Sequence, residues 1–221
     1  MFRHEHKLED RFVVMYSGNF GLAHPFESML GAVEQLQSSL PQVLFLFVGD
    51  GPRLGWVREQ TEQRELRNVR FLPFQPAEQL RQSLAAADLH LASMRAELCG
   101  LVVPSKVYGV LAAGRPCVFL GPEESEAAQL ILQHGCGSVL AKATGARLAS
   151  CLAQWVNHPE RLREASQRAT ALSDQLKVTA AGGAFDDVLQ RVVSAPDSAA
   201  PTIARGRRTP LARSVNPFTS P

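Results

Sequence analysis

Apolar runs of four to six residues, flanked by Gly, Pro, Asp or Asn, recur along the chain and alternate with longer amphipathic stretches. FVVMYS (Phe12–Ser17), VLFLFV (Val43–Val48), VRFL (Val69–Leu72), DLHLA (Asp88–Ala92) and CVFL (Cys117–Leu120) predict strands. Their near-continuous hydrophobicity, without polar alternation, is that of strands covered on both faces. Ser138–Leu140 is a shorter sixth candidate. Helical periodicity falls between the strands, at Phe26–Ser38, Arg53–Glu65, Ala77–Ala86, Ser105–Ala113 and Ser125–His134. It resumes after the last strand at Ala146–Val156, Glu160–Gln175 and Phe185–Val193. Ser125, followed by Glu126 and the apolar Ala128, Leu130 and Ile131, predicts a capped helix start. Strict strand–helix alternation implies right-handed crossovers and a parallel sheet covered on both faces. The expectation is a single α/β domain over residues 12–193, a Rossmann-like doubly wound sheet.

In such sheets ligands sit outside the carboxyl ends of the strands. The segments expected there are Gly18-Asn19-Phe20-Gly21, Gly49-Asp50-Gly51-Pro52, Pro73-Phe74-Gln75-Pro76, Arg95–Pro104 and Gly121–Ser125. Glycine lets backbone N–H groups approach a ligand without a Cβ in the way. The longest of these leads into ELCGLVVPSKVYGVLAAGRP (Glu97–Pro116), which places Lys106 in the first turn of an Ala-rich helix. A cation there, beside unpaired N–H groups, is suited to phosphate; without that ligand the same segment is an ordinary amphipathic helix with a C-terminal Gly. No GxGxxG or P-loop pattern occurs, which argues against dinucleotide and ATPase functions.

Composition narrows the class further. A chain of 221 residues with 45% hydrophobic content can bury a sizeable core. No apolar run approaches the roughly 18 residues that span a bilayer, and the charged MFRHEHKLEDR start has no apolar signal region. Cys99, Cys117, Cys136 and Cys151 form neither a CxxC pair nor a metal-like cluster with histidine, so no metal site is expected. A reducing, cytoplasmic setting follows, with peripheral attachment at the inner membrane face as its variant. The net charge of +2 is concentrated in residues 194–221, where Arg205, Arg207, Arg208 and Arg213 face only Asp197. The rest has no basic field for nucleic acid. Residues 194–221, rich in Ser, Pro and Ala, are expected to form a disordered basic tail, and residues 1–11 a loose N-terminal segment.

The ordered series YSGNFG, FLFVGDGP, NVRFLPFQP, AAADLHLAS, GLVVPSKVYGVLAAGRP and SEAAQLILQHGCG resembles the C-terminal half of family 4 glycosyltransferases, above all bacterial members that build surface polysaccharides. The resemblance covers residues 12–175. It implies the GT-B fold, two Rossmann-like domains facing across a cleft, with the C-terminal one holding the nucleotide-sugar donor. Carried over, it sets Gly18, Asn19 and Gly21 beside the diphosphate. Gly49 and Gly51, with Phe74 and Gln75, would hold the base, and Lys106 the phosphates. Glu97 would contact the donor sugar, with Leu98, Cys99 and Gly100 lining its loop. Ser125 and Glu126 would cap the following helix at the rim. The donor expected is a UDP-linked sugar, with no cofactor.

The chain departs from that pattern in three places. The glutamate that commonly holds the ribose hydroxyls falls on Gly109 or, counted forward from Glu97, on Ser105; Ser105 or Tyr108 would supply a weaker bond. The usual Arg and Lys pair after the first strand is replaced by LAHPFE, in which His24 reads either as a partial substitute or as an ordinary loop histidine. Only a short segment precedes the first strand, so the acceptor domain and its catalytic base are expected to be missing, the chain being either truncated or working beside a separate N-terminal partner. No catalytic residue is assigned; His4 and His6 are poor replacements. The leading expectation is the donor-binding domain of a hexosyltransferase-type enzyme, inactive alone. The alternatives are a non-catalytic nucleotide-binding or interaction module, with a homodimer as one form, and an epimerase of the same two-domain fold.

Overall fold

A computed structural model describes residues 2–99 and 105–176. Gly100, the predicted helix Phe185–Val193 and the basic tail lie outside them.

Six parallel strands form one sheet: β1 (Phe12–Ser17), β2 (Val43–Val48), β3 (Val69–Leu72), β4 (Leu89–Ser93), β5 (Cys117–Leu120) and β6 (Gly137–Leu140). Their order is β3-β2-β1-β4-β5-β6, with Phe12 opposite Val43, Tyr16 opposite Leu91 and Cys117 opposite Gly137. The sheet therefore grows in one direction from β1 and in the other from β4, and the crevice expected of a doubly wound sheet opens between their carboxyl ends. The sixth, weaker strand prediction is present. The fourth begins one residue later than expected, because Asp88 is an anchor: its carboxylate accepts from Val13 N at 2.7 Å and pairs with Arg3 at 3.2 Å.

Strand side chains alternate between the two faces. Val14, Tyr16, Phe45, Phe47, Leu89 and Leu91 pack with α2 (Phe26–Ser39), α3 (Leu54–Gln63) and α7 (Gly145–Asn157). Val13, Met15, Leu44 and Leu46 face the other way, where α4 (Ala77–Ala85) lies. That layer continues with α5 (Lys106–Ala112), α6 (Glu126–His134) and α8 (Pro159–Gln175), packed on Ala92, Cys117 and Phe119. The tightest helix crossing is made by two glycines. A Cβ on Gly145 would lie 2.7 Å from the Gly31 carbonyl carbon, so α2 and α7 meet backbone to backbone. The α3 prediction ran two residues too far: Glu65 adopts φ 50 and turns the chain toward β3.

The N-terminal segment corrects its expectation. Residues 2–5 form a short helix, α1 (Phe2–Glu5), and the segment is packed rather than loose. Leu8 is fully buried and Phe2 nearly so, against Leu84, Ala86 and Ala87. The Arg3 guanidinium ties this together, donating to the carbonyls of Ala86, Leu8 and Arg11 as well as to Asp88. Among the described residues no helix is long and apolar enough to cross a membrane.

Candidate functional site

Three glycines shape the loops that leave β1 and β2. Gly18, Gly49 and Gly51 adopt φ +139, +134 and +148, where side chains are strained. A Cβ on Gly49 would fall 2.1 Å from the Gly18 carbonyl oxygen, and one on Gly51 2.4 Å from Asn19 Oδ1. The loops are locked edge to edge by Gly18 N–H to the Val48 carbonyl and Phe20 N–H to the Asp50 carbonyl, both 2.8 Å. Within this lattice the N–H groups of Asn19 and Gly21 have no acceptor among the described residues. Those two flank Phe20, and farther along the loop the N–H groups of Leu22 and Ala23 likewise have no acceptor among the described residues.

Lys106 enters the same place from α5. Its side chain passes directly over Gly18, where a Cβ would lie 2.3 Å from Lys106 Cε. The ammonium donates to Tyr16 Oη at 2.7 Å and approaches His24 Nε2 at 3.3 Å. It also sits 4.4 Å from the centre of the Tyr16 ring, a cation–π contact. The Tyr16 hydroxyl in turn donates to the Asn19 carbonyl at 2.7 Å, and His24 Nδ1 meets Ser93 Oγ at 2.8 Å. Behind them lies an aromatic block of Tyr16, Phe20, Phe26 and Phe47, with Phe20 and Phe26 stacked at 5.0 Å. Burial lowers the Lys106 ammonium to about 8, so it remains charged at neutral pH. Burial, reinforced by the Lys106 charge, holds His24 down at about 4. His24 is thus neutral and does not replace a missing cation; it acts as an acceptor for the one present.

The other predicted residues divide. Phe74 stands beside this centre with 57% of its surface exposed, its ring edge 3.2 Å from where a Gly49 Cβ would be. Gln75 is half-buried, and its amide donates back to the Pro73 carbonyl at 2.9 Å. Glu97 lies on a short 3-10 turn after β4 and borders a cavity of about 340 Å³ at the ends of β4, β5 and β6, shared with Arg95, Met94, Pro122 and Lys142. Leu98 and Cys99 from the same turn are half-buried and pack against the apolar cluster that includes Val107, Val110 and Leu111 of α5. Ser105 starts α5 without a capping bond. Tyr108 does not reach toward the glycine loops: its hydroxyl donates to Glu126 Oε1 at 2.7 Å, which raises the phenol to about 12. Ser125 is buried and caps α6, accepting from Ala128 N and donating to the Pro122 carbonyl. Gly109 borders a groove of about 600 Å³ between α4, α5 and α8, with Leu84 Cδ1 3.6 Å from where its Cβ would be.

Tyr16 and Ser93 were missed at the sequence level: Tyr16 reads as strand interior, and Ser93 falls just past the predicted end of the fourth strand, between it and the loop that begins at Arg95. The one available signal was the position of Tyr16 immediately before Ser17-Gly18, where a strand ends in a glycine turn. Among the described residues no group of three or more His, Cys, Asp or Glu is placed to hold a metal ion.

This geometry can be set beside known proteins. The colanic acid biosynthesis glycosyl transferase WcaI of Escherichia coli (strain K12), so named, is 30% identical over 122 residues, covering 55% of this chain and 30% of that protein. The named glycosyltransferase WbjE of Pseudomonas aeruginosa is 27% identical over 125 residues, covering 57% and 31%. The chain thus matches under a third of the length of these curated relatives. Among solved structures, Anabaena Alr3699/HepE in complex with UDP and glucose superposes with a TM-score of 0.66 at 21% identity, over 86% of this chain and 50% of that one. WaaG, a glycosyltransferase involved in lipopolysaccharide biosynthesis, gives 0.68 at 19%, over 85% and 49%. The chain shares its fold with about half of each of these structures. The family model described as "Glycosyl transferases group 1" matches residues 1–172, and the chain belongs to that family.

Proposed function

We propose that the chain is the nucleotide-sugar-binding part of a glycosyltransferase, taking a UDP-linked sugar as donor for a polysaccharide or lipid-linked acceptor held by a separate N-terminal domain. The observation that carries this reading is the cradle at the β1/β4 switch point. A half-buried ammonium, two N–H groups without acceptors and three close-packed glycines meet where a doubly wound sheet places its ligand. A diphosphate satisfies all of them at once. In transfer, the bond from the anomeric carbon to the diphosphate oxygen breaks and negative charge grows on the leaving group. Lys106 and the Asn19 and Gly21 N–H groups stabilise that charge as fixed donors. Phe74, exposed beside Gly49, offers a face on which a base stacks. Glu97, on the cavity next to the cradle, is assigned to sugar hydroxyls.

Relatives favour this reading: Alr3699/HepE has been solved with UDP-glucose, and WcaI is named for colanic acid biosynthesis. One observation favours a second reading, a nucleotide-binding module without transfer chemistry. Gly109 offers no carboxylate for a ribose, and Tyr108 is engaged by Glu126. Calorimetric titration with UDP, GDP and their sugar conjugates separates the two. Micromolar binding, tighter for one conjugate, and a loss of about 1–3 kcal/mol on Lys106→Ala support the donor reading. No binding at millimolar ligand rejects it. Nucleotide binding that no sugar improves supports the second.

A further inference from the structure

The hydrogen bonds around Lys106 leave each proton only one place. Tyr16 has a single hydroxyl proton, directed at the Asn19 carbonyl 2.7 Å away, so toward Lys106 its oxygen can only accept. His24 is neutral and carries one ring proton. Its Nε2 faces an ammonium, which has donors only, so Nε2 presents a lone pair and Nδ1–H donates to Ser93 Oγ. Two of the three ammonium protons are therefore directed into the protein, and the third is left over. The charge itself is unanswered: among the described residues no carboxylate forms an ion pair with Lys106. The charged or titratable neighbours are Tyr16 from β1, His24 from the following loop, and beyond His24 the Arg95 guanidinium after β4. Gly18 completes the arrangement, because any side chain there would occupy the path of Lys106 Cε.

We propose that Tyr16 and His24 are positioning residues which hold Lys106 with one ammonium proton free for a diphosphate, and that this state exists only while His24 is neutral and Lys106 is charged. Protonating His24 would replace the Nε2 lone pair by a second donor facing the ammonium, beside Arg95. Deprotonating Lys106 would remove the charge that the anion answers. The identity of the anion rests on the donor reading above; the positioning rests on the side-chain geometry alone.

The test is the pH profile of UDP-glucose affinity, measured below the ionisation of the uracil N3–H, where the charge of this diphosphate diester stays constant. Affinity of the unmodified chain falls as pH rises past about 8. Tyr16→Phe keeps the ring but deletes one acceptor of a charged N–H, and moves that midpoint down by about one pH unit. His24→Leu does the same, while His24→Gln, whose amide oxygen accepts as Nε2 did, restores it. Unchanged midpoints in Tyr16→Phe and His24→Leu would overturn the proposal, whatever the affinities at neutral pH. The same midpoints are read without ligand from the lysine Cε signals in NMR, since the chain has only Lys7, Lys106, Lys142 and Lys177. If the unmodified chain fails to bind UDP-glucose, the donor reading falls, and the lysine titration alone decides the positioning roles.

Discussion

Replacing Gly18 by alanine separates the site's chemistry from its fold. Two costs arise. The backbone sits at φ +139, a region nearly closed to side chains, and holding alanine there costs about 1–3 kcal/mol of stability. The new Cβ would also lie 2.3 Å from Lys106 Cε and 2.9 Å from Nζ. Those atoms end a flexible side chain, so Lys106 moves aside and the overlap adds little to the folding cost. Displacement takes the ammonium from Tyr16 and His24, however, and a lost hydrogen bond to a charged group is worth about 1.5–3 kcal/mol. Affinity for UDP-glucose should drop roughly ten- to hundredfold. Urea melts give the first quantity and calorimetry well below the transition gives the second. Gly55→Ala is the control: it lies in α3 away from the cradle, its φ is not positive, and its Cβ would meet nothing within 4 Å. Parental affinity in Gly18→Ala would refute the account of the cradle.

Gly145→Ala should destabilise the fold by about 1–3 kcal/mol, because its Cβ meets Gly31 backbone at 2.7 Å and α2 and α7 must separate; an unchanged urea midpoint would show that the helices yield freely. His24 and His90 are both held at about 4, below their unfolded value, so the unfolded chain binds more protons in this window. Their contribution is complete above about pH 6.5 and is lost as pH falls toward 4; equal stability at pH 7 and 4.5 would contradict it. Burial raises the Cys117 and Cys136 thiols, while Cys99 is only partly buried. A thiol reagent followed by mass spectrometry should label Cys99 in the native protein and reach Cys117 and Cys136 only on unfolding.

The sheet could be read from the chain because strands buried on both faces are continuous apolar runs between turn residues; the edge strand β6, GSVL and only partly buried, left a shorter trace. The N-terminal segment could not. Phe2 and Leu8 stand among charges in MFRHEHKLEDR, and their burial depends on Arg3 bonding to residues more than 80 positions away. The glycine turns at Gly18, Gly49 and Gly51 were legible from the ends of β1 and β2, and the place of Lys106 from the first turn of α5. Tyr16 was not, since a tyrosine inside FVVMYS reads as core until its hydroxyl is seen to meet Lys106, 90 residues distant. Tyr108 and Glu126 each looked like site residues; only three-dimensional structure shows that they engage one another. Ser125 was recognisable as a helix cap because capping is local, between residues three apart.

The central claim is that the glycine loops and Lys106 form one anion site at the β1/β4 crevice. Titrating isotope-labelled chain with UDP and following backbone amides together with lysine side chains tests it most directly. The account predicts shifts concentrated at Asn19, Gly21, Gly49 and Gly51, moving with Lys106 at a common dissociation constant. Shifts confined to the α4–α5–α8 groove, or none at millimolar UDP, would contradict it.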